Sequence, residues 1–482
     1  MADRTMAHWR VLAAIGMMSW GTYFIYDIPA SLSTPLSKHL SFSDHETAYL
    51  VSLLYAVYST PNTVLPFLTG AALQRFGERT LLMGIVSSIT LGQVLFALAV
   101  QNKIEVGMII GRAFIGLGGE VISVVGCEII TRWFQYKRLS LALAINLGLG
   151  RLGSVSNCII VPYLIEPYGV VIMTWMATLL SLGVTIIGLV SFLTTPDSAI
   201  ESDKSPLLSH VLDTDCNTKP VSQSFPLRHF PPVFWYLALI ALLDYACLNT
   251  FTNSAQRLLA LRFYDGDQPA AGAAVSILFT LSGLLIAPLG FLLDMLPSSS
   301  YPCALITSNA LLMFAHGIFL MNSITAPIIP LCLIGLADAL IGVAFWGSVT
   351  RCLLNVSFLD DTVVRLNGDF YCETVYKDEI VPLMQEDIDI PPFPNEETGI
   401  PAVPIMQGEA MRTLGIGIMA SLMNISTAVV PVLLAVVENL EGFMGLEVVF
   451  LALGLLGCMV CVKLAWAWEL DSDGTGDANE GI

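Results

Sequence analysis

The feature that most constrains this chain is an apolar run of about 20 residues, repeated along its length, which is the helix needed to cross a bilayer core. Such runs fall at 10–32, 47–70, 80–100, 105–130, 139–163 and 170–194, and again at 230–255, 271–294, 302–322, 327–350, 406–436 and 443–468. A transmembrane barrel would instead show alternating segments of about 10 residues. In lipid every backbone polar group needs a partner inside the protein, and a helix supplies it within one segment. Only 12% of the residues are charged, against about 25% in a soluble domain. The expected fold is an all-α polytopic membrane protein, with 12 transmembrane helices in two six-helix pseudo-symmetric bundles.

The polar stretches set the expected boundaries. Residues 1–195 form an N-terminal six-helix bundle, 196–229 a cytosolic linker, and 230–468 a C-terminal bundle carrying an acidic cytosolic insertion at 352–404. Residues 469–482 are an acidic cytosolic tail. The net charge of −18 is concentrated in these appendages: 360–397 holds eleven acids against Arg365 and Lys377. Acidity of this kind argues against nucleic acid as a partner. Arg10, Arg75, Arg79, Arg132, Lys137 and Arg138 lie in alternate short loops, which puts both termini in the cytosol. The ten cysteines are scattered, mostly inside apolar runs, and do not form a disulfide framework. No metal-ligand spacing, nucleophile–base array or phosphate loop stands in a water-accessible segment. The chain is not expected to be an enzyme or to hold a cofactor.

A charge at the bilayer centre costs at least ~2.5–3.5 kcal/mol, so intramembrane charges mark candidate functional residues. Glu120, in "GRAFIGLGGEVISVVG", stands 12 residues before Arg132, and Arg151 stands 13 residues after Arg138. At about 1.5 Å per residue both lie ~18–20 Å from the cytosolic face, near the midplane, on consecutive helices. Two readings stay open. The residues can pair and staple two helices, or they can hold the two ends of a zwitterion, carboxylate on ammonium and guanidinium on carboxylate. Gly116, Gly118 and Gly119 let a neighbouring helix or a ligand approach Glu120, and Asn146 is expected to share the wall with Arg151. Asp27, Arg112, Asp244 and Asp338 are candidates for coupling or gating; capping, a water-filled vestibule or helix pairing are the alternatives for the aspartates. Asp27 precedes Pro29, a break in the hydrogen-bond ladder at which the first helix can bend.

"GAALQRFGER" at 70–79 resembles the loop between helices two and three of the major facilitator superfamily, with Gly70, Arg75, Gly77 and Arg79 at its motif positions. Gln74 stands where that family has an aspartate. The second copy, "GFLLD" at 290–294, keeps its acid, Asp294, without the basic residues that follow it in the family. "GRAFIGLGGE" is similar to the fourth-helix motif, with Arg112 as its arginine. A narrower resemblance, to the lysosomal dipeptide uniporters of that superfamily, is carried by "YFIYDIPASL", "LLYAVYSTPNTVLPF", "GRAFIGLGGEVISV", "RWFQYKRLSLALAINLGLGRLGSVSN" and "GIMASLMNISTA".

The resemblance implies alternating access and uniport of dipeptides or amino acids across a lysosomal or endosomal membrane. It implies Glu120 at the peptide's amino end and Arg151 at its carboxylate, with Tyr26, Tyr55, Tyr58 and Asn62 lining the N-terminal half of the cavity. It also implies a single-span glycoprotein accessory subunit. "DKSPLL" places Asp203 four residues before Leu207 and Leu208, the spacing of an acidic dileucine sorting signal. An organic-anion or sugar-phosphate exchanger and a non-transporting nutrient sensor are the alternatives. The exchanger requires paired basic residues in the cavity, and each half offers one deep arginine at most.

Overall fold

The computed structural model describes residues 2–134, 139–195, 230–321, 327–366 and 403–476. The apolar runs fold as helices: α1 (Ala2–Leu40), α2 (Asp44–Ser59), α3 (Leu65–Asn102), α4 (Glu105–Phe134) and α5 (Leu139–Leu193), then α6 (Pro232–Phe263), α7 (Gln268–Asp294), α8 (Ser300–Leu320), α9 (Ile328–Leu366) and α10 (Val403–Gly476). Among the described residues nine helical segments are long and apolar enough to cross a membrane. The segments in α5 and α10 run to 53 and 56 residues, more than twice the ~20 that one crossing uses. Each is broken at a glycine of positive φ, Gly169 at 75° and Gly442 at 66°. A side chain at either position would crowd the backbone.

The apolar run 47–70 is not one continuous helix. α2 ends at Ser59, a 3-10 turn covers Pro61–Thr63, and α3 begins at Leu65. Pro61 has no N–H to give and disfavours a helical residue before it, and Pro66 follows at once. Carbonyls freed inside a membrane need side-chain partners, and the chain supplies them. Asn62 Nδ2 donates to the Tyr58 carbonyl at 3.0 Å, and Ser421 Oγ of α10 to that of Thr63 at 2.6 Å.

Two hydrophobic cores organise the molecule. One is built from α1 to α5, around Phe24, Phe96 and Ile115; the other from α6 to α10, around Phe251, Phe345 and Phe450. Cys158 of α5 joins the second core. The halves meet where α5 packs on α7, α2 on α10 and α1 on α6. Gly272 of α7 makes the first of these contacts possible, because a Cβ there would run into the Cys158 carbonyl.

The insertion expected at 352–404 is narrower than the sequence implies. α9 runs on to Leu366 and α10 begins at Val403, so helical backbone enters the acidic segment from both ends. The rest of the insertion, the linker 196–229 and its Asp203, Leu207 and Leu208 lie outside the described residues, as does the tail after Gly476.

In both halves an acid of the loop motif meets an arginine from a later helix. After α3 turns at Gly77 (φ 73°), Glu78 meets Arg132 at the end of α4 at 2.8 Å. Arg79 donates to the Thr195 carbonyl at 2.9 Å, and Arg75 is exposed beside Phe76. In the second half Tyr301 Oη donates to Asp294 at 2.8 Å, and Arg351 of α9 lies 3.9 Å from the same carboxylate. The base that the sequence lacks after Asp294 therefore comes from a later helix. Gly70 lies within α3.

Candidate functional site

The buried Arg112 of α4 holds α1 in place. Its guanidinium donates to the carbonyls of Ile25 at 3.1 Å and Tyr26 at 3.0 Å. Pro29 stands four residues after Ile25 and has no N–H to offer that carbonyl. Arg112 fills the gap. Three rings enclose the cation: its central carbon lies 5.1 Å from the centroid of Tyr58, 5.4 Å from Tyr55 and 6.0 Å from Tyr26. Tyr55 and Tyr58 are buried, while Tyr26 is half-buried with its ring about 5 Å from both: 5.1 Å from Tyr55 and 5.0 Å from Tyr58.

Glu120 follows two turns later on α4. The glycines before it admit helices: a Cβ at Gly116 or Gly119 would strike Tyr58 of α2, and one at Gly118 would come 2.8 Å from Ile89 of α3. That close packing holds Glu120 at a fixed place. Its side chain is half-buried, and none of the described residues hydrogen-bonds or pairs with it. Tyr23 of α1 is the link to the next charge, since it lies within electrostatic reach of Glu120, Arg151 and Asp338 together.

Arg151 of α5 pairs with Asp338 of α9, across the two halves, and not with Glu120. Nη2 reaches Oδ2 at 2.8 Å and Oδ1 at 3.1 Å. Ser282 Oγ of α7 donates to Oδ2 at 2.6 Å. The side chains are 22% and 13% exposed. The Phe279 centroid lies 6.0 Å from the guanidinium. Gly283 lets the arginine stem pass, since a Cβ there would sit 3.1 Å from that of Arg151. Arg151 Nε is buried and unpartnered.

Asn146, Asp27, Asp244 and Asn62 are buried. Asn146 is five residues before Arg151, about 140° round the helix. It accepts from Ser19 Oγ at 3.0 Å and staples α5 to α1. Asp27 is buried beside Ser154, with one carboxylate oxygen unpartnered. Asp244 is buried inside the second half, where Asn309 Nδ2 donates to it at 3.2 Å. Asn62 caps the break after α2. Ser282 beside Asp338, Phe279 beside Arg151, and Tyr23 were not singled out in the sequence. Tyr23 had a signal: it precedes Tyr26 by three residues and Asp27 by four, the spacing of one helix face.

Residues 11–357 match the Major Facilitator Superfamily. The chain belongs to that superfamily of membrane transporters. It is similar to the lysosomal dipeptide transporter MFSD1 of Bos taurus, at 26% identity over 343 residues, 70% of this chain and 71% of the relative. The Homo sapiens protein of the same name is 26% identical over 341 residues, 70% of this chain and 72% of the relative. That of Danio rerio is 28% identical over 354 residues, 70% of this chain and 73% of the relative. Among solved structures the crystal structure of the nucleoside transporter NupG superposes with a TM-score of 0.58 over 96% of this chain and 98% of the other. At 13% identity that likeness concerns the fold. The two halves have separate cores, and Arg151 of one meets Asp338 of the other at the seam where they adjoin.

Proposed function

We propose that this chain moves dipeptides, or amino acids, by alternating access and uniport across a lysosomal or endosomal membrane. The observation that carries the reading is the pairing of chemistries in the seam. Glu120 is a carboxylate with no partner among the described residues, Arg151 is a partly exposed guanidinium, and Tyr23 lies within electrostatic reach of both. A zwitterion of a few residues' length presents an ammonium to the first and a carboxylate to the second. The names of the relatives from three vertebrates support the same substrate class.

Twelve crossings belong to this reading, with α5 and α10 each turning at their glycine and α2 counted with the start of α3. So do the boundaries of the two bundles at 1–195 and 230–468, cytosolic termini, the dileucine signal and a single-span accessory glycoprotein. Rocking of one half against the other about the seam exposes it first to one side and then to the other. An anion exchanger fits less well. Arg112 is occupied by two carbonyls and three rings, which leaves the seam one arginine and not a basic pair.

The test is uptake into proteoliposomes. Glu120→Gln keeps the shape and removes the charge. It is expected to abolish saturable dipeptide uptake at unchanged expression and melting temperature. Normal uptake by that variant would remove Glu120 from the site.

A further inference from the structure

Asp338 is a carboxylate already seated on the guanidinium that the proposed function gives to the substrate. Both of its oxygens lie within 3.1 Å of one nitrogen of Arg151. Ser282 holds it there from α7, on the same half as Asp338. Arg151 belongs to the other half. The amine side of the seam has no such occupant, for Glu120 has no partner among the described residues. The seam is therefore asymmetric: Arg151 has a carboxylate partner from within the protein, and Glu120 has no partner among the described residues.

We propose that Asp338 is the internal stand-in for the substrate's carboxylate, and that exchanging it for the substrate unlocks the two halves. The inference rests on the zwitterion reading of Glu120 and Arg151. A dipeptide places its ammonium on Glu120 and its carboxylate on Arg151, and Asp338 with Ser282 moves off with its own half. The bond broken is the ion pair between α5 and α9. The bond formed lies between α5 and the substrate, so the cation is never left bare and the tether between the halves is released by binding. A ligand with an amine and no carboxylate occupies Glu120 and leaves the tether closed. In this account Asp338 is a positioning and specificity residue that acts by competing for Arg151.

Competition of this kind lowers apparent affinity by the fraction of time the site is closed. The experiment is a titration of purified wild type, Asp338→Asn and Ser282→Ala with one dipeptide and with its C-terminal amide. Asp338→Asn is expected to bind the free dipeptide roughly tenfold more tightly and the amide with unchanged affinity. Ser282→Ala loosens the same lock from one side and is expected to shift the dipeptide alone, in the same direction by a smaller factor; it carries the test if the aspartate variant does not fold. Unchanged affinity for both ligands in both variants would overturn the proposal, as would weaker dipeptide binding in Asp338→Asn. Failure of wild type to bind either ligand would overturn the zwitterion reading itself, which distinguishes the two failures.

Discussion

Arg151 and Asp338 join the two halves of this transporter with one guanidinium nitrogen 2.8 Å from one carboxylate oxygen and 3.1 Å from the other. Opposite charges at one depth tolerate each other in a membrane. Here they also cross the boundary between the two halves, so that boundary carries the pair's electrostatics directly.

Shortening the cation should show this. Arg151→Lys keeps the charge but loses the planar donors that grip a carboxylate. Dipeptide uptake is expected to fall by about tenfold or more, with expression retained, as measured by initial rates at matched protein density. Wild-type rates in that variant would mean that any cation suffices.

Arg112 should behave differently, because its partners are backbone carbonyls. Arg112→Met leaves the Ile25 and Tyr26 carbonyls without those donors, at a cost of about 1–3 kcal/mol for each buried group left unpaired. The expected result is a lower melting temperature whether or not ligand is present. Loss of dipeptide binding at an unchanged melting temperature would instead place Arg112 in the substrate site.

The glycines before Glu120 admit helices, and this is measurable. Gly116→Val forces a side chain against the Tyr58 carbonyl, an overpacking of about 1–3 kcal/mol. Gly148→Ala, where nothing lies within 4 Å of the new methyl, is expected to be neutral or to stabilise by up to about 1 kcal/mol. Thermal denaturation of the two variants in detergent should separate them by several degrees, and equal melting temperatures would contradict the packing described.

A buried pair inside the second half offers a control away from the seam. His316 Nδ1 lies 2.7 Å from Glu447 Oε2, and both side chains are fully buried. Removing one partner of such a pair costs about 3–5 kcal/mol, while replacing both with apolar residues is often neutral. Glu447→Leu should therefore destabilise strongly, and His316→Phe with Glu447→Leu should recover most of the loss. Additive destabilisation in the double variant would show that the two residues act separately.

The membrane fold was legible because apolar length is a local property. Partner choice was not legible. Counting along a helix gives an expected height but neither azimuth nor the facing helix, and it put Glu120 level with Arg151 without naming Asp338 as the partner. The structure resolves the choice because Gly283 and Ser282 bring α7 against the arginine stem, while Gly116 and Gly119 turn Glu120's helix towards α2. The break after α2 had its signal in Pro61 and Pro66. What could not be read was that Asn62, an apparent cavity residue, satisfies the carbonyl of Tyr58.

The most direct test of the central claim is the melting temperature of purified wild type and Glu120→Gln with a free dipeptide, its N-acetyl form and its C-terminal amide. A ligand of the folded state at 100 times its Kd stabilises by about 2.7 kcal/mol. The account predicts a rise with the free dipeptide in wild type, none with the N-acetyl form, and none with the free dipeptide in Glu120→Gln. An equal rise with the N-acetyl form, or a full rise in Glu120→Gln, would contradict the assignment of Glu120 to the substrate's amino end.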